Sequence, residues 1–142
     1  MKLKLRYIVP LVSLLLFGCT KENQNPGFPN KSVNINIYPG TGAYFDLGAI
    51  GGWMYLGGGV NGILVYRTSQ TGFVAYDRAC PYKPTDPCEQ VEVENGNGFI
   101  VEDKCCSSKF LITSGEVTEG PSEYNLRYYN TSYNGNLLQI WN

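Results

Sequence analysis

The chain contains no histidine. The commonest general base is therefore absent, and so is every histidine-bearing metal site. No nucleophile–base pair stands out, so an enzyme is not expected. Basic charge is also scarce. With residues 1–18 set aside, Lys2, Lys4 and Arg6 go and the net charge moves from −1 to −4. A nucleic-acid partner calls for a basic surface, so none is expected. The apolar run at residues 7–17 has eleven residues, against the ~20 that a helix needs to cross a bilayer. Residues 33–142 also lack an apolar stripe of period 3.6 with capping residues, which argues against helices.

The start of the chain is basic, then apolar, and ends in Leu16-Phe17-Gly18-Cys19. This is the layout of a secretory leader. Its last four residues resemble a bacterial lipoprotein cleavage box, which implies removal of residues 1–18 and lipidation of Cys19. Several acyl chains on one residue anchor a protein stably, at ~0.8 kcal/mol per buried methylene. Residues 19–32 are polar, with Pro26 and Pro29, and read as a flexible tether. Thr20-Lys21-Glu22 faintly resembles the surface-export signals of Bacteroidetes lipoproteins. The expected location is the outer membrane of a Gram-negative bacterium, facing the periplasm or the cell surface. The expected partners are the membrane, through the lipid, and an unknown envelope protein or ligand.

Residues 33–142 read as one all-β domain. Val33, Ile35 and Ile37 alternate with asparagines, the period of a half-buried strand. The segments 63–67 and 73–77 flank the hairpin loop 68–72. Val91 and Val93 share one face, with Glu92 and Glu94 on the other. Residues 95–98 form a turn, and 99–103 and 109–113 are further strands, with a turn at Ser114-Gly115. Residues 126–133 and 136–141 flank Asn134-Gly135, a hairpin signal. Short strands broken by 17 glycines and 8 prolines suggest a barrel or sandwich of small antiparallel sheets. Gly57, Gly59 and Gly62 match a dinucleotide fingerprint in spacing. A strand rather than a helix follows them, so they read as a turn. Asn30-Lys31-Ser32 and Asn130-Thr131-Ser132 match a glycosylation pattern that does not suit a bacterial lipoprotein. Tyr124, Tyr128, Tyr129, Tyr133 and Trp141 read as core and cross-strand packing.

With Cys19 lipidated, Cys80, Cys88, Cys105 and Cys106 remain. An even number outside the cytoplasm favours disulfides. A bond between the adjacent Cys105 and Cys106 strains the peptide between them. Two pairings are left: 80–105 with 88–106, or 80–106 with 88–105. Each closes loops worth on the order of 3 kcal/mol. Four thiolates on zinc or on an iron–sulfur cluster, or free thiols, are the alternatives. The spacing lacks the usual C-x-x-C of zinc sites.

The stretches 61–82, 105–129 and 135–141 together resemble a Rieske domain. A strand pair leads to Cys80-Pro81-Tyr82, where that family has Cys-x-His. A second loop ends in Ser108, Lys109 and Phe110, and Gly120-Pro121-Ser122 stands where the family has Gly-Pro-Ala. With the lipoprotein leader, the whole resembles the Rieske-like lipoproteins of Bacteroidetes. The resemblance implies a Rieske-like fold with two loops at a cluster site. It places Cys80, Tyr82, Asp103 and Cys106 at the four ligand positions. A Rieske cluster takes two cysteines and two histidines, and only Cys80 keeps its residue type. The resemblance therefore implies a protein without a functional cluster and without a resident cofactor, acting by binding or assembly. A non-standard [2Fe–2S] carrier or a structural zinc domain on Cys80, Cys88, Cys105 and Cys106 is the alternative. Rieske domains that carry a loop-tying disulfide place its second cysteine at the position of Cys105. The resemblance thus implies Cys88–Cys105, with Cys80 and Cys106 joined across the vacated site.

Overall fold

A computed structural model describes residues 23–142; the expected leader and Cys19 lie outside the described residues. The described residues are all-β apart from one kinked 3-10 segment, Gly42–Gly48. The strands are β1 (Asn34–Ile37), β2 (Trp53–Leu56), β3 (Ile63–Arg67), β4 (Phe73–Asp77), β5 (Val91–Val93), β6 (Ile100–Asp103), β7 (Lys109–Leu111), β8 (Val117–Glu119), β9 (Tyr128–Tyr133) and β10 (Leu138–Trp141). They form two antiparallel sheets: a six-stranded one in the order β1-β10-β9-β4-β3-β2, and a four-stranded one in the order β5-β6-β7-β8. Among the described residues no helix is long and apolar enough to cross a membrane.

The near-continuous apolar run of β3 follows from its position. Ile63 and Val65 point into one core, with Ile37, Leu47, Phe73, Leu138 and Ile140. Leu64 and Tyr66 point into a second core, with Val91, Val101, Phe110 and Ile112. Successive side chains of a strand face opposite ways. A strand covered on both sides therefore carries apolar residues at every position. The small sheet covers one face of the large one, and the 3-10 segment, through Leu47, helps close the other.

The short, half-buried edge strand β2 carries no alternation and sits between glycines. Its existence depends on pairing with β3 rather than on its own pattern. The Gly-rich stretch 57–62 is a turn between β2 and β3, as expected. It wraps around Asp77 at the end of β4. The Asp77 carboxylate accepts Val60 N–H (2.6 Å), Asn61 N–H (3.1 Å), Ala79 N–H (2.8 Å) and the Tyr129 hydroxyl (2.6 Å). Gly59 has φ +61° and packs directly against Asp77 and Tyr129, leaving no room for a Cβ. Burial, aided by the neighbouring carboxylate, pushes the Tyr129 hydroxyl well above its ordinary range.

The proposed tether is less free than its composition suggests. Asn23 Nδ2 donates to Glu123 O (2.6 Å), Gln24 Nε2 to Leu126 O (2.9 Å) and Asn25 Nδ2 to Pro81 O (2.7 Å). Asn142 Nδ2 donates to Lys31 O (2.8 Å). From residue 23 onward the chain lies against the fold rather than hanging from it.

Candidate metal centre

Two loops meet at one end of the small sheet. The first, residues 78–90, runs from β4 to β5. It closes on itself through Cys80 N–H to Glu89 O (2.9 Å) and an isolated bridge between Ala79 and Gln90. The second, residues 104–108, joins β6 to β7. Asp103 organises it: Oδ1 accepts Cys105 N–H (2.7 Å) and Cys106 N–H (3.3 Å). Its backbone exchanges bonds with Ser107 and Ser108. Ser107 takes φ +64° to complete the turn. Buried Ser108 accepts Ser122 N–H at 2.9 Å, which docks the Gly120-Pro121-Ser122 segment on this loop.

A Cys88–Cys105 disulfide ties the loops together. The second expected cross-link, Cys80–Cys106, is corrected. Both are free thiols, with sulfurs 3.7 Å apart, whereas a disulfide bond is about 2.05 Å long. Cys106 Sγ instead lies 3.1 Å from Ser108 Oγ. The four-cysteine ligand set for zinc or an iron–sulfur cluster is corrected with it, because Cys88 and Cys105 are bonded to each other.

Of the four residues that the resemblance implied as ligand positions, Cys80, Asp103 and Cys106 come together. Tyr82 does not join them; its side chain is 41% exposed. Glu89 joins the three instead. Cys80, Glu89, Asp103 and Cys106 each offer one ligand atom, and these four atoms all lie within 4.8 Å of one another. Cys80 and Asp103 are fully buried and Glu89 is 3% exposed. Glu89 Oε2 and Asp103 Oδ2 have no hydrogen-bond partner among the described residues.

The sheet explains the convergence. Val91 faces Asp103 across the β5–β6 pair, and Val93 faces Val101. Val91, Val93, Val101 and Asp103 are all buried. Glu89 continues the same alternation two residues before Val91. The period of two that marked Val91 and Val93 was the signal for Glu89, carried one step further toward Cys88. Glu92, on the opposite face, is exposed and pairs with Arg78 at 3.7 Å. Glu94 is half-buried, 3.8 Å from Lys109. Both stand on the face away from the site, Glu92 in solvent and Glu94 partly covered.

Electrostatics limit what the metal-free site can do. Burial pushes the Cys80 thiol far above its ordinary range, and the nearby Cys106 and Asp103 add to the effect. Burial also raises Cys106, against the opposing Ser108 hydroxyl. Burial raises Glu89 as well; Cys106 opposes the shift and the adjacent Asp103 carboxylate adds to it. Reactive cysteines have lowered pKa values; both of these thiols are shifted the other way. A Rieske cluster does not fit these residues: the donors are two sulfurs and two carboxylates, with no imidazole. No family model and no curated protein matches the chain.

Proposed function

We propose that the protein is a lipid-anchored lipoprotein of the bacterial outer membrane. Its Rieske-like β domain lacks an iron–sulfur cluster and serves as a binding or assembly subunit in the cell envelope. One observation carries this reading. The two loops that would hold a cluster present Cys80, Glu89, Asp103 and Cys106, and are tied to each other by Cys88–Cys105. A covalent link holds together what a cluster would otherwise bridge. The leader ending in Cys19 supports anchoring, and the all-β architecture of two antiparallel sheets is compatible with the resemblance. The absence of histidine and the raised thiols argue against an enzyme in its own right.

The anchoring is tested by fractionating cells that express the full chain or its Cys19→Ala variant. The wild type is expected in the membrane fraction with incorporated labelled fatty acid, and the variant in the soluble fraction. A wild type that never takes up label defeats the lipoprotein reading. The cluster-free reading is tested on the purified full chain by its visible spectrum and by iron and acid-labile sulfide. Stoichiometric iron and sulfide would overturn it.

A further inference from the structure

We propose that Cys80, Glu89, Asp103 and Cys106 form a mononuclear site for a zinc-class divalent cation. Three observations converge on it. The first is the donor set. Two sulfurs and two carboxylates make four ligands, the number zinc takes in closed, tetrahedral sites. Thiolates select zinc-class ions over magnesium and calcium. The second is spacing. Two sulfurs bound to one tetrahedral ion at ~2.3 Å stand about 3.8 Å from each other. The Cys80 and Cys106 sulfurs stand 3.7 Å apart, with the remaining donor atoms all within 4.8 Å.

The third observation concerns the two carboxylates. Glu89 Oε2 and Asp103 Oδ2 are buried oxygens without a hydrogen-bond partner among the described residues. Buried polar groups are nearly always satisfied, and an unpartnered one costs about 1–3 kcal/mol, more when charged. A cation among the four side chains supplies the missing partner for both carboxylates at once. Binding displaces the two thiol protons to solvent.

The preorganisation is built from three different supports. Asp103 Oδ1 is held by the Cys105 and Cys106 amides, which leaves Oδ2 for the ion. Cys80 is held by its N–H to Glu89 O. The Cys88–Cys105 bond lies directly beside two of the ligands in sequence, Glu89 and Cys106, and clamps their loops. The disulfide sets the frame and the free pair does the binding, so the four cysteines divide into two roles. The inference stands on this geometry and not on the anchoring.

The test uses the full chain, purified in detergent without chelator, with cobalt(II) as a spectroscopic probe for zinc. One equivalent of cobalt should give the visible bands of a tetrahedral site and a sulfur-to-metal charge-transfer band. Zinc should displace it one for one. Two thiols should resist alkylation until a chelator is added. Cys106→Ser should remove much of the charge-transfer intensity. Glu89→Gln, with an unchanged far-ultraviolet dichroism spectrum, should weaken binding by more than the ~10- to 100-fold lost with an outer hydrogen-bond partner of a ligand. Four results would overturn the proposal, and all are readable on the wild type or these two variants. They are two alkylatable thiols with no cobalt spectrum, a Cys80–Cys106 disulfide in the purified chain, iron with labile sulfide, or a cobalt spectrum that neither substitution alters.

Discussion

Two groups of buried carboxylates occupy opposite situations in this fold. Asp77, at the end of β4, accepts four hydrogen bonds from the Gly-rich turn, Ala79 and Tyr129. Asp103 and Glu89, at the meeting of the two cysteine loops, each keep one oxygen without a partner. All three are buried. A carboxylate whose lone pairs are filled by the protein is a fixed part of the framework. One with a vacant lone pair in a low-dielectric setting is incomplete unless something else fills it. Burial alone does not separate structural from ligand-binding acids; the count of donors around them does.

The sharpest way to break this contrast is Asp77→Ala. It strands three backbone N–H groups and the Tyr129 hydroxyl. At about 1–3 kcal/mol per unsatisfied buried group, it should cost on the order of 4 kcal/mol. The urea midpoint should fall accordingly, irrespective of zinc. A loss below about 1 kcal/mol would mean that water replaces the carboxylate without penalty.

Next in size is the covalent clamp at the other end. Cys88→Ser with Cys105→Ser opens a loop whose ends are 17 residues apart, worth about 3 kcal/mol. The measurable result is a lower melting temperature, and zinc should recover part of it by bridging the same loops. Recovery in a Cys106→Ser background would contradict the division of the cysteines into two roles.

Zinc itself comes third. A ligand at 100 times its dissociation constant stabilises the folded state by about 2.7 kcal/mol. Calorimetry with and without zinc should show that gain in the wild type, and chelation should abolish it. A gain that survives Glu89→Gln would place the ion elsewhere.

The smallest effects form a matched pair. Tyr129→Phe deletes one bond to a satisfied carboxylate and should destabilise by about 2 kcal/mol, the range for hydrogen bonds to charged groups. Metal-free Glu89→Gln should be neutral or stabilising. Burial raises the folded-state pKa of Glu89, so its charged form is disfavoured in the fold, and a neutral amide of the same shape avoids that cost. Chemical denaturation of both variants, with chelator present, reads the difference. Equal losses from the two would erase the distinction between the sites.

Much of the architecture is legible in local residue patterns. The alternation at Val33, Ile35 and Ile37, the uniformly apolar 63–66 and the Asn134-Gly135 turn each identify their element locally. Three elements were not legible. The strand Trp53–Leu56 has no alternation, the 3-10 segment Gly42–Gly48 has no stripe, and Val117–Glu119 is too short to carry a period. Each exists because a neighbour offers a pairing edge or a core to cover. At the site, the resemblance implied Cys80, Tyr82, Asp103 and Cys106 as ligand positions; the structure gathers Cys80, Asp103 and Cys106 with Glu89, while Tyr82 is exposed. Glu89 was missed because an acid beside a cysteine reads as exposed unless the alternation of Val91 and Val93 is followed backward.

Residue types and their local spacing account for the strand pattern, the absence of imidazole and the four cysteines that follow Cys19. These are properties of residue type and of spacing over a few positions, where side-chain direction alternates with each residue. The tertiary structure alone shows that Cys80 and Cys106 stay unbonded beside Cys88–Cys105, that Glu89 joins Cys80, Asp103 and Cys106, and that Asp77 accepts four hydrogen bonds while Asp103 Oδ2 accepts none. Cys80 and Cys106 are 26 residues apart. Their distance is set by how the small sheet packs on the large one and how two loops are clamped, which no local pattern encodes.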